Sequence, residues 1–167
     1  MSERVPIALE VNGEAITRYI EPRLSLADFL REELELTGTH LGCEMGACGA
    51  CLVLLNGKAV HSCLMFAVQA DGDRIETVEG LSQRKAIADI QVAFHNNNAL
   101  QCGFCTAGML VTAYELLSRD RTLTRHEIRD GLSGNYCRCT GYQAIVNSIE
   151  LVARSRADNV DTRPEPE

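Results

Sequence analysis

The chain has 167 residues, 46% of them apolar and 23% charged, with a net charge of −7. That acidity argues against a nucleic-acid partner, and no apolar run approaches the roughly 20 residues of a membrane span. The start, Met1-Ser2-Glu3-Arg4-Val5-Pro6, has neither the apolar stretch of a secretory signal nor a twin-arginine pair, which predicts a cytoplasmic protein unless a partner chain exports it.

Residues 7–11 alternate weakly, and Asn12-Gly13 separates them from the β-formers of 15–20. Asn-Gly between two such runs predicts a hairpin. Ser25, followed three places on by Asp28, reads as the cap of a helix. On it Leu26, Phe29, Leu30 and Leu34 share one face and should pack on the hairpin.

The next stretch is Gly42-Cys43-Glu44-Met45-Gly46-Ala47-Cys48-Gly49-Ala50-Cys51, with Cys63 further along. The C-x4-C-x2-C spacing is that by which plant-type ferredoxins hold a [2Fe–2S] cluster, the fourth ligand arriving later in the chain. Glycines suit such a loop because they reach conformations closed to other residues and let amides approach the sulfurs. Residues 52–55 read as a short buried strand, Asn56-Gly57 as a second hairpin turn, and residues 59–62 as the return to Cys63. Ala67-Val68 and residues 75–78 are expected to add strand on either side of a turn at Asp71-Gly72-Asp73. This is a β-grasp pattern closing near Gly80, so residues 1–80 form a first domain.

Helical periodicity then takes over. Ile87, Ile90, Gln91 and Phe94 define one stripe, and Met109, Leu110, Ala113, Leu116 and Leu117 a second. Thr124 with Glu127 is a capping box for a helix carrying Ile128 and Leu132. A last helix carries Ala144, Ile145, Ile149 and Val152. Residues 81–153 therefore read as a small four-helix bundle, and 154–167 as a polar tail, disordered or draped on a partner. The fold class is α+β.

Eight cysteines make a high count. A disulfide framework is opposed by the missing signal, by a length that needs no staples, and by the grouping of the cysteines. The second set is Cys102-Gly103-Phe104-Cys105, then Cys137-Arg138-Cys139, with both pairs at helix boundaries where free amides favour thiolate. Four thiolates suit either tetrahedral zinc or an iron–sulfur cluster. Having a ferredoxin-type loop in the same chain favours the cluster, and a zinc-stabilised interaction module stays as the rival. His40, His61, His95 and His126 show no paired spacing, and His126 should face solvent. Arg138 either tunes a cluster or meets a partner surface. No nucleophile–base constellation appears, and Gly42 to Gly49 is no dinucleotide fingerprint because cysteines occupy the site. Electron relay is the chemistry these residues suit, with no catalytic residue in the chain itself.

The three motifs Gly42-Cys43 to Cys51, Gln101-Cys102-Gly103-Phe104-Cys105-Thr106, and Gly134-Asn135-Tyr136-Cys137-Arg138-Cys139-Thr140-Gly141-Tyr142 occur in this order. Together they resemble the small iron–sulfur subunit of the xanthine oxidase family of molybdenum hydroxylases, over nearly the whole chain to about residue 153. The resemblance implies a ferredoxin-like domain with one [2Fe–2S] centre on Cys43, Cys48, Cys51 and Cys63. It implies a helical domain with a second on Cys102, Cys105, Cys137 and Cys139. It further implies a large subunit holding molybdopterin, a medium subunit holding FAD, and a dimer of such heterotrimers. In it Gln101 would hydrogen-bond the pterin and Cys139 would lie at the pterin's amino group. Electrons would pass from molybdenum through both clusters to FAD or another acceptor. A free-standing two-cluster ferredoxin is the rival within redox chemistry. Ala107 stands where the family commonly has proline. Proline suits a first helical turn, and alanine should serve there almost as well.

Overall fold

The computed structural model describes residues 3–119 and 123–161. Asn12 and Gly13 both take positive φ, 53° and 87°, in the two-residue turn whose twist matches a hairpin. Strands β1 (Val5–Val11) and β2 (Glu14–Ile20) pair antiparallel with Val11 opposite Glu14. Helix α1 (Leu26–Asp28) starts at Ser25, whose Oγ accepts from the Asp28 amide at 3.0 Å, and widens into a π turn over Phe29–Glu33. Leu26, Phe29 and Leu30 are fully buried against the β1 side chains, with Leu34 packed beside them.

Strands β3 (Leu52–Leu55) and β4 (Lys58–His61) form the second hairpin on Asn56-Gly57, with Leu52 opposite His61. Strand β5 (Arg74–Glu76) lies between the hairpins, parallel to β1 and antiparallel to β3, giving the order β2-β1-β5-β3-β4. Strand β3 serves two cores. Val53 joins the core with β1 and α1, whereas Leu52 and Leu54 join the helical core. Successive strand residues face opposite sides, so a strand buried on both faces reads as an unbroken apolar run.

Two expected strand segments are not strands. Ala67–Ala70 is a 3-10 turn, held by the Phe66 amide donating to Gln69 Oε1 at 2.8 Å. Val78 opens helix α2 (Val78–Gln83), because the Thr77 amide donates to Asn12 Oδ1 at 2.8 Å instead of continuing the ladder. Gly80 lies inside α2, where a β-carbon would overlap the Asn12 side chain. It permits this close approach.

Helices α3 (Ala88–Asn96), α4 (Thr106–Leu117), α5 (Arg125–Gly131) and α6 (Gln143–Asp161) form the bundle. The expected stripes are inside: Ile87, Ile90, Phe94, Met109, Ala113, Ile128, Ile145 and Ile149 are all buried. Thr124 and Glu127 make the reciprocal cap of α5, with amide contacts of 2.9 and 3.3 Å. Helix α6 overruns the expected start of the tail at residue 154, while 162–167 lie outside the described residues. Polar residues do not end a helix when they are helix formers with partners. Arg154 pairs with Glu150 one turn back at 2.7 Å, and Arg156 grips Asp89 of α3 through two bonds of 2.8 and 2.9 Å.

Although burial opposes it, Arg156 holds the Asp89 carboxyl below its ordinary 3.8. That contribution is present above pH 3.8 and is lost as pH falls through the lower folded value. Acidification below 3.8 should therefore raise amide exchange first at the end of α6, and Arg156→Ala should do so at neutral pH. The cost is about 0.5–1 kcal/mol, as for a half-exposed bidentate pair.

Candidate metal centres

The first loop folds its amides inward through left-handed residues, Glu44 (φ 53°), Gly46 (74°) and Gly49 (72°). The Ala47 and Cys48 amides both donate to Cys43 Sγ at 3.4 Å. The Met45 amide and then the Cys48 side chain lower the Cys43 thiol to about 7, so thiolate is well populated at neutral pH. Cys51 and Cys63 are brought together by the β3–β4 register, since Cys51 precedes β3 and Cys63 follows β4. Ser62 ties the two ends with an Oγ bond of 2.6 Å to the Cys51 carbonyl. Burial pushes Cys51 up to about 11, against the opposing hydrogen bond from the Cys63 amide. It needs a metal to ionise it.

The second set is gathered from two loops. Cys105 stands at the start of α4, and Cys137 and Cys139 lie between α5 and α6. Cys102 and Cys139 bring their sulfurs to 3.6 Å, close to the roughly 3.7 Å of two thiolates sharing one tetrahedral ion at about 2.3 Å each. Cys105 bonds to Cys137, and burial pushes it up to about 12. At this helix start, desolvation outweighs the favourable helix end. Cys137 is also opposed by burial, yet Thr140 lowers it through its hydroxyl at 3.1 Å and its amide at 3.4 Å.

The sulfurs thus meet in pairs: Cys43 with Cys48, Cys51 with Cys63, Cys105 with Cys137, and Cys102 with Cys139. Four thiols in two pairs per set suit a two-iron cluster, whose irons would each take two cysteines. The donor set fits [2Fe–2S].

The two loops touch. The Tyr136 amide donates to the Cys48 carbonyl at 2.8 Å. A β-carbon on Gly108 of α4 would overlap the Gly49 carbonyl, and one on Gly49 would come within 2.5 Å of the Gly134 carbonyl. Buried Asn135 accepts from Thr112 Oγ1 at 3.0 Å, and the His40 ring stacks on Phe104 with centroids 4.8 Å apart. His40 also meets the Phe104 carbonyl through Nδ1 at 2.7 Å, and His61 Nδ1 lies 3.9 Å from Cys51 Sγ. His126 faces solvent, paired with Asp130 at 2.9 Å. Gln101 is exposed beside exposed Cys102, as are Arg138 and Cys139.

Two family descriptions match: "2Fe-2S iron-sulfur cluster binding domain" over residues 9–82 and "[2Fe-2S] binding domain" over 77–150. The chain is 52% identical over 156 residues to caffeine dehydrogenase subunit gamma of Pseudomonas sp. (strain CBB1), covering 92% of this chain and 93% of that one. It is 42% identical over 150 residues to the xanthine dehydrogenase iron-sulfur-binding subunit of Escherichia coli O157:H7, covering 89% and 94%. The chain belongs to the small iron–sulfur subunits of the xanthine oxidase family. Its fold superposes on a chain of quinoline 2-oxidoreductase from Pseudomonas putida 86 with a TM-score of 0.87 and 48% identity, covering 95% of this chain and 98% of that one. As a member of this family it is an electron-transfer subunit of a multi-subunit oxidoreductase, with two [2Fe–2S]-binding domains.

Nothing in the sequence signalled that His40, Phe104, Thr112, Asn135 and Tyr136 hold the two ligand loops in contact, although all but Thr112 stand in the motifs or the histidine set named above. Asn135 lay inside the third quoted motif. Its burial was not readable from turn composition. Thr140 and Tyr142 lay inside the quoted motif, but only the fold aims them at a sulfur.

Proposed function

We propose that Cys43, Cys48, Cys51 and Cys63 hold one [2Fe–2S] cluster, and that Cys102, Cys105, Cys137 and Cys139 hold the other. The chain then relays electrons from molybdopterin in a large subunit to FAD in a medium subunit. The observation that carries this reading is the 2.8 Å bond from the Tyr136 amide to the Cys48 carbonyl. Cys48 belongs to the first set, and Tyr136 adjoins Cys137 of the second, so one hydrogen bond joins the two ligand loops. When bound, the clusters supply one-electron carriers at either end of that contact.

Gln101 and Cys139 are assigned to the molybdopterin side. Both are exposed on the rim of the second set, where a partner's cofactor has access. Phe104 and Tyr136 are exposed in the same motifs, Leu100 just before the second, and Met45, Leu64 and Phe66 near the first set. Apolar side chains of this size are usual in buried interfaces, which supports a docked subunit at each end. We divide the chain at about residue 80, with the helical unit running to about 153 and a C-terminal segment beyond. We also place the enzyme in the cytoplasm as a dimer of heterotrimers. Among the described residues no helix is long and apolar enough to cross a membrane.

Native purification under gentle conditions tests the assembly. The expected result is co-elution with a molybdenum-containing large chain and a flavin-containing medium chain. Recovery as a lone monomer without molybdenum would overturn it.

A further inference from the structure

We propose that Thr140, clamped by Tyr142, is a positioning residue that raises the reduction potential of the second centre by donating its hydroxyl proton to Cys137 Sγ. This deepens the reading above, because it rests on Cys102, Cys105, Cys137 and Cys139 holding a cluster.

Thr140 Oγ1 lies 3.1 Å from Cys137 Sγ, while the Thr140 amide points at the same sulfur from 3.4 Å. A threonine hydroxyl has one proton and two lone pairs. The Tyr142 amide donates to Thr140 Oγ1 at 3.2 Å. That bond occupies a lone pair and leaves the proton for the sulfur. Tyr142 closes the loop from its other end as well, since its phenol oxygen accepts from the Cys137 amide at 2.8 Å. To do both, Tyr142 sits at φ 67°, a region that bulky side chains occupy only when the surroundings impose it. Gly141 before it is also left-handed, at 64°. The strain and both bonds serve one geometry, an O–H aimed at Cys137 Sγ.

Reduction adds negative charge to the ligand sulfurs, so a donor there strengthens on reduction, and hydrogen bonds to sulfur raise cluster potentials. Thr140→Val keeps the shape and removes the donor.

The test is an EPR-monitored redox titration of the assembled complex, with the first centre as reference in the same sample. In T140V the second signal should titrate at a more negative potential. At the wild-type midpoint its reduced-to-oxidised ratio should fall about tenfold, equivalent to about 59 mV for one electron. T140S keeps the hydroxyl and should restore the wild-type value, and Y142F, which loosens the clamp, should shift the same way by less. A second signal present at full intensity with an unmoved midpoint in T140V overturns the proposal. If T140V assembles without that signal, Y142F decides, and a midpoint equal to wild type overturns it. Loss of the signal in wild type, or its persistence in Cys137→Ser, counts instead against the ligand assignment.

Discussion

Gly108→Ala should destabilise the protein by about 1–2 kcal/mol net, although the same change inside an ordinary helix gains about 1 kcal/mol from propensity. Gly108 lies in the first turns of α4, and a β-carbon there would overlap the Gly49 carbonyl and press within 3.3 Å of Ala50 Cα. Both neighbours are backbone atoms of the first cysteine loop, so no side chain can swing aside. Overpacking of this kind typically costs about 1–3 kcal/mol or more, and here it exceeds the propensity gain. The displaced helix also carries Cys105 at its start, so the contact of Tyr136 with Cys48 should loosen too. Gly134→Ala is the control. Nothing lies within 4 Å of its β-carbon position, and the change should stay within about 0.5 kcal/mol. Urea midpoints of the two variants check this, and a Gly108→Ala variant at least as stable as wild type would refute the close approach.

Cys105→Ser should remove the second centre and leave the first. Cys105 bonds to Cys137 and is pushed up to about 12 mainly by burial, so its metal-free form is the thiol. Serine is a harder ligand and is still less easily ionised, so it cannot replace a buried thiolate on iron. Loss of partners one shell out typically costs about 10–100-fold in metal affinity or activity. Loss of a ligand should therefore lower turnover of the assembled enzyme by about 100-fold or more. EPR of the reduced complex should show one of two signals gone and the other unchanged, because Cys43, Cys48, Cys51 and Cys63 are paired among themselves. Retention of both signals would break the assignment of Cys105.

Much of this was legible in the chain. Asn12-Gly13 and Asn56-Gly57 announced both hairpins because a turn with two positive φ values accepts few residue pairs. The Ser25 and Thr124 caps were equally readable, since each bonds an amide three places on. The cysteine spacings pointed to two centres for a similarly local reason. What stayed hidden was non-local. The spacing of Cys102, Cys105, Cys137 and Cys139 does not say which sulfurs pair, because that depends on how two loops meet. Ala67-Val68 read as strand, yet the Gln69 side chain bonding Phe66 made a turn instead. The continuation of α6 depended on Asp89, a residue of another helix. Tyr142 offered no signal for its left-handed backbone, since glycine or asparagine would be expected there.

On the proposed assignment each four-cysteine set carries a [2Fe–2S] cluster. Metal and acid-labile sulfide analysis of the purified complex, with EPR after reduction, tests it most directly. The expected result is about four iron and four sulfide per small subunit, with two distinct EPR signals, as a pair of all-cysteine [2Fe–2S] centres requires. A colourless small subunit that contains zinc and no labile sulfide would contradict it.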